Sequence, residues 1–407
     1  MNTKIQDTFL QLVRLGIGHT DTTEFTEKVD WEAVKALAER QGLLAVALDG
    51  LDKVPSSAYS MPAMMKKMWI GEVLQNYEYR HELYRRAIAE LAGFYNSLGF
   101  KMMILKGYAC ALDWPKPEHR PSGDIDIWLF GEQIAADKAL GSWFKAQGSK
   151  SEIDNSHHHH TVFYWRDFMV ENHYDFINVH ARRSNARLEK VFKKLGDVSN
   201  VLETCGTSEQ ARANDNLKPE TWNLKQESSF RGTRIPWVEV YGERVYLPSA
   251  NLHGLFLIRH AVAHFAAAEI TLRQVLDWAF FVEKHGSEMD WVWLVKELEE
   301  FGLRRFFDVV NAICMEDLGF QPVESLEFRV DSQSESQEFK ALKERVLNDI
   351  LEPEFCEKVP QRLLPRVWFR CRRWQANAWK QRLCYSESRW SAFWTGVWNH
   401  LLKPRSI

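Results

Sequence analysis

No run of about 18 apolar residues occurs in the 407-residue chain, so no membrane-spanning helix is expected. The opening residues, MNTKIQDTFLQLVRLGIGHT, lack the long apolar core of a secretory signal. Cysteine is sparse: Cys110, Cys205, Cys314, Cys356, Cys371 and Cys384 are scattered, with no CxxC pair. That argues against both a cysteine zinc site and a disulfide frame; free thiols in a reducing, cytoplasmic setting are expected. Neither sign of charge dominates, the net charge being −3. A global pull toward nucleic acid or an anionic membrane is therefore absent, although local patches can still form. Repeats of roughly 20 to 50 residues, the signature of solenoids and propellers, are missing too.

What remains is an ordinary soluble globular composition, with 45% apolar and 26% charged residues. The length allows two or three domains with a sizeable core. Tryptophan is unusually abundant, at 17 residues.

The hydrophobic period changes twice along the chain. Residues 1–99 repeat apolar positions at helical spacing, as in DWEAVKALAERQGL, where Asp30 is a natural N-cap. Residues 100–247 mix short strands and helices: FKMMILKG, DIDIWLF, the hairpin HTVFYWRD and FMVENHYDFINVH, and a strand in IPWVEVYGERVYL. A polar, weakly patterned stretch at 197–235 reads as an insertion loop. From 248 to 407 the helical period returns. The expected class is α+β: a small mixed-sheet module flanked by N-terminal and C-terminal helical regions.

The chemistry concentrates in RPSGDIDIWLF, residues 120–130. Residues i and i+2 of a strand share a face, so Asp124 and Asp126 project together while Ile125 and Ile127 turn to the core. Two adjacent carboxylates repel unless a cation lies between them, and hard Mg²⁺ or Mn²⁺ prefers oxygen ligands. On this reading Asp126→Asn relieves repulsion and raises the stability of the metal-free protein. Glu171, His173 and Asp175 share one face of a second strand, so either Glu171 or Asp175 can supply a third carboxylate. Such a platform suits phosphoryl transfer. The turn at Lys106 and Gly107 offers backbone N–H groups and a positive charge to a phosphate. Arg120, on the loop before Ser122, is a candidate triphosphate contact.

The order strand, KG turn, helix, SGDIDI, then a strand carrying VE resembles the DNA polymerase beta-like nucleotidyltransferase superfamily. More narrowly, LKG…R…GDIDI followed by VENH resembles a bacterial family of uncharacterised nucleotidyltransferases. The resemblance implies that Asp124, Asp126 and Glu171 bind metal and carry catalysis. It also implies that Lys106, Gly107, Arg120, Ser122 and Gly123 line the nucleotide, with Mg²⁺ (or Mn²⁺) as cofactor. The implied reaction moves a nucleoside monophosphate from an NTP such as ATP to an acceptor hydroxyl and releases pyrophosphate. Two departures stand out: Tyr108 follows Gly107 where Gly-Ser or Gly-Gly is usual, and the interval from Gly107 to Asp124 is long. The near-neutral charge favours a small-molecule acceptor over nucleic acid. Adenylation of a protein or an RNA end, and a non-catalytic nucleotide-binding module, are the alternatives. An oligomer is compatible with the sequence.

Other signals read more blandly. The run His157 to His160 reads as an exposed or cleft-rim turn, with a substrate contact or a metal site as alternatives. Neighbouring strand residues alternate faces, so at most two of these rings can meet at one site. His253, His260 and His264 share a helical face and read as buried, hydrogen-bonded histidines. Arg273 and Asp277 read as an intrahelical ion pair. The C-terminal stretch from Trp390 to Leu402 reads as an aromatic face packed within the protein or on another subunit, with an interfacial membrane helix as the alternative.

Overall fold

The computed structural model describes residues 3–20, 25, 28–148, 151–157, 159–196, 203–205, 235–321, 336–355 and 359–402. It is an α+β protein with helices at both ends of the chain. Most of the stretch read as an insertion loop lies outside the described residues. None of the described helices is long and apolar enough to cross a membrane. The chain divides into two compact units, each built from separate segments, which differs from the three consecutive regions read in the sequence.

The first unit combines residues 1–80, 110–121 and 254–390 and is helical. Its first helix, Thr3–Ile17, lies close against the helix Leu44–Lys53. A Cβ on Gly16 would meet Val46 O at 2.1 Å, and one on Gly50 would meet Leu12 O at 2.0 Å. Only glycine allows the two backbones this approach. Asp30 caps Trp31–Arg40 by accepting from Ala33 N, as the sequence predicts. Gln41 ties distant segments of this unit together, donating to Ile350 O and accepting from Leu272 N. A cleft of about 490 Å³ in the unit is walled by Trp114 and Phe280, with Asp49, Lys116 and His119 at its polar edge.

The second unit combines residues 81–109, 122–253 and 391–407. It holds a mixed seven-stranded sheet: β1 (Met103–Ile104), β2 (Ile125–Trp128), β3 (His160–Trp165), β4 (Phe168–His173), β5 (Glu203–Cys205), β6 (Ile235–Val240) and β7 (Glu243–Tyr246). Their order across the sheet is β3-β4-β2-β1-β7-β6-β5. β3 and β4 form the expected hairpin, and β2 pairs with β4 in parallel. IPWVEVYGERVYL is two strands and not one. Tyr241 and Gly242 both take positive φ (49° and 85°), which makes a tight two-residue turn between β6 and β7.

The helix Gln133–Ala146 packs on one face of β3 and β4. Phe144 meets Phe163, and Asp137 accepts from Thr161 Oγ1 and Asn172 Nδ2, both at 2.8 Å. The opposite face carries the candidate site.

The aromatic C-terminal helix, Arg389–Leu402, departs from the reading that its face packs within the protein; packing on another subunit is untouched by this. Trp390, Phe393, Trp394 and Trp398 are all exposed. Trp390 meets Trp374 edge-on, and the Arg389 guanidinium lies 3.9 Å from the Trp374 ring centroid.

Candidate active site

Strand register assembles the site. Asp126 on β2 lies opposite Glu171 on β4, and Trp128 lies opposite His173. Across the hairpin His160 faces His173, and Val162 faces Glu171. Partners in register share a face, so Asp126, Glu171, His173 and His160 converge.

Asp126 is the best-buried acid of the group, 1% exposed. Its Oδ1 accepts from Lys106 Nζ at 3.0 Å and from His173 Nε2 at 3.2 Å. Its Oδ2 is buried and has no hydrogen-bond partner. Ligand atoms of Asp126, Glu171 and His173 all lie within 4.8 Å of one another. A buried carboxylate oxygen with nothing to bind, beside a second acid, suits a cation-binding role, and the oxygen donors suit Mg²⁺ or Mn²⁺. Asp124 precedes β2 by one residue and is half-buried. Its backbone carbonyl accepts from Tyr84 Oη at 2.7 Å.

The electrostatics follow from these distances. Burial opposes ionisation of Asp126, but Lys106 and His173 outweigh it and hold the carboxyl far below its usual range. Burial also opposes the charge on Lys106, yet the carboxylates of Asp126, Asp124 and Glu171 push its pKa up. His173 is fully enclosed, which disfavours its cation. Hydrogen bonds to Asp126 and Glu171 reverse that and raise it to about 9. His160 is lowered to about 4, chiefly by burial and against the pull of Glu171. The expected repulsion among carboxylates is therefore answered inside the protein, by one lysine and one imidazolium.

Gly107 is required at the turn. Its φ is +66°, and a Cβ there would sit 2.6 Å from Tyr84 Oη and 3.3 Å from Asp124 O. Ser122 is half-buried and Gly123 exposed, both directly before the acidic strand. Lys106, read as a phosphate contact, is found on Asp126.

Other predicted residues are placed differently. Asp175 lies two residues beyond the end of β4, and its carboxylate pairs with Lys193, leaving Glu171 as the third acid. Arg120 belongs to the helical unit, where it is buried. Its Nε and Nη2 donate to Asp277 Oδ1 and Oδ2 at 2.7 and 2.9 Å, and Trp114 Nε1 donates to the same carboxylate at 2.9 Å. Asp277 is thus bound across the chain by Arg120 and Trp114. Of the three helical histidines, His253 is buried, His260 is half-buried and His264 is exposed, so the buried reading holds at one position. Among the described residues they join no group with metal-ligand geometry.

Sequence reasoning placed His173 on the correct face but gave it no task. His159 and His160 were read as turn residues, and both approach His173, with ring centroids at 5.5 and 5.2 Å. His158 lies outside the described residues.

Residues 27–208 and 213–319 match the model of a protein family described as "Uncharacterised nucleotidyltransferase". No curated protein and no solved structure matches the chain.

Proposed function

The chain belongs to the uncharacterised nucleotidyltransferase family, and from that premise we propose that it is a metal-dependent enzyme. It transfers a nucleoside monophosphate from an NTP to an acceptor hydroxyl, more readily a small molecule than a nucleic acid, with release of pyrophosphate. The observation that carries this reading is the buried, unpartnered Asp126 Oδ2 beside Glu171.

Asp126 and Glu171 are the residues that hold the cation, with Asp124 completing the acidic set. When bound, Mg²⁺ or Mn²⁺ supplies Lewis-acid polarisation and charge neutralisation at the phosphoryl oxygens. Lys106 and His173 keep the carboxylates together before substrate arrives. The turn at Gly107 and the Ser122–Gly123 loop border the nucleotide phosphates. The acceptor oxygen bonds to the α-phosphorus, the bond from that phosphorus to the β-phosphate oxygen breaks, and the acceptor proton passes to Glu171. Arg120, committed to Asp277 through two hydrogen bonds, has no part in this scheme.

The test is incubation with α-labelled ATP, GTP, CTP and UTP against pools of small molecules, RNA and protein. Label should move to one pool in a divalent-dependent way, with pyrophosphate appearing in step, and Asp126→Asn should abolish it. Label in the RNA or protein pool would replace the small-molecule acceptor. Nucleotide binding with no transfer to any pool would establish a non-catalytic module.

A further inference from the structure

Beside the carboxylates the same sheet face gathers imidazoles. Ligand atoms of His159, His160 and His173 lie within 4.8 Å of one another, near enough for small side-chain shifts to bring them to one ion. Two features of the fold create the cluster. His160 opens β3 directly opposite His173 on β4, so their side chains share a face. His159 lies just before the strand, where the strict alternation of faces does not yet apply. Its carbonyl is fixed there by Tyr174 N at 2.9 Å and Asp175 N at 3.1 Å. The three rings are mutually close, with centroids 4.3, 5.2 and 5.5 Å apart. His160 is 8% exposed, and its buried Nδ1 makes no hydrogen bond, with Glu171 Oε2 lying 3.9 Å away. His157 stacks on His160 from outside, with ring centroids 4.8 Å apart, and is itself exposed.

A buried imidazole nitrogen with no partner is costly unless something binds it. The donor set says what: three imidazole nitrogens suit a borderline cation such as Zn²⁺, which takes the place of the proton His173 carries in the metal-free protein, whereas Mg²⁺ seeks oxygen. We propose that His159, His160 and His173 form a second metal site, selective for Zn²⁺ or a similar borderline cation, which adjoins the acidic site at Asp126 and Glu171 and shares His173 with it. Three protein ligands leave a tetrahedral ion one open position. The site requires neither nucleotide nor turnover, so it stands or falls separately from the proposed reaction.

The test is titration of the full chain with Co²⁺, a coloured substitute for Zn²⁺, in a large excess of Mg²⁺, followed by displacement with Zn²⁺. The expected result is visible bands of nitrogen-ligated, low-coordinate Co²⁺ at one equivalent, removed by Zn²⁺. His159→Ala, at a partly exposed position, should lose the bands. His160→Gln should lose them as well, with a thermal melt confirming that it folds. His157→Ala should keep them. Loss in His157→Ala with retention in His159→Ala and His160→Gln would mean that the histidine run chelates loosely at the surface, overturning the proposal. Suppression by excess Mg²⁺ would place the ion on the carboxylates and overturn it equally. Absence of Co²⁺ bands in the wild-type chain would do the same.

Discussion

Asp126→Asn is expected to destabilise the metal-free protein, the reverse of what carboxylate repulsion alone suggests. In the structure Asp126 Oδ1 is gripped by Lys106 at 3.0 Å and His173 at 3.2 Å. The amide keeps an acceptor oxygen but loses its charge. Each charge-assisted bond, about 1.5–3 kcal/mol, falls toward an ordinary one of about 1 kcal/mol. The two losses together come to roughly 3 kcal/mol, at the lower edge of the ~3–5 kcal/mol for breaking a buried pair. For a cooperative unit of roughly 150–250 residues this lowers the melting midpoint by about 6–12 °C. The assay is thermal melting in EDTA across pH. His173 is raised to about 9 in the folded state. Its stabilisation is complete below the unfolded value of about 6.5 and is lost as pH rises through the folded one. The gap between wild type and variant should therefore be widest at slightly acidic pH and narrow in alkali. A variant melting at or above the wild type in EDTA at neutral pH would refute the reasoning, because repulsion would then dominate.

Gly107→Ala should cost roughly 1–3 kcal/mol through its positive φ and its clash with Tyr84 Oη. In a Tyr84→Phe background the clashing oxygen is gone and the nearest remaining contact is Asp124 O at 3.3 Å. The denaturant-measured cost should shrink there; an equal cost in both backgrounds would remove the contact from the explanation. Arg120→Met leaves Asp277 buried without its bidentate partner and should cost about 3–5 kcal/mol, with Asp277→Leu recovering part of it in the double variant. Full additivity in urea melts would contradict the pairing. His285 is raised to about 9 by hydrogen bonds to Asp113 and Glu288 that overcome its burial. The stability it adds, up to about 3 kcal/mol, should be complete below pH ~6.5 and vanish as pH passes the folded value. His285→Gln should flatten that slope, and an unchanged slope would assign it to other groups.

The parts of the site that follow a local period were legible. Asp126, and the shared face of Glu171 and His173, follow from two-residue alternation, and parallel pairing of β2 with β4 brings them together, whereas Asp124 stands one residue before that register. What required the structure was partnership between distant segments. Lys106 and Asp126 meet across a loop, and the joint proximity of His159 and His160 to His173 depends on the hairpin register and on where β3 begins. The bond from Arg120 to Asp277 spans 157 residues, beyond any local pattern. The β6–β7 turn was missed because tyrosine, which seldom takes positive φ, stands where such turns usually carry asparagine or glycine. The units could not be read as consecutive blocks because the chain leaves the sheet unit after Ala109 and returns at Ser122.

The central claim is that Asp126 and Glu171 hold the cation on which nucleotide handling depends. Binding of a non-hydrolysable NTP analogue, with and without Mg²⁺, tests this most directly because it needs no acceptor. Wild type should bind the analogue only with the divalent cation, and Asp126→Asn and Glu171→Gln should each lose that dependence together with the affinity. Equally tight binding without a divalent cation, or undiminished Mg²⁺-dependent binding in both variants, would contradict the account.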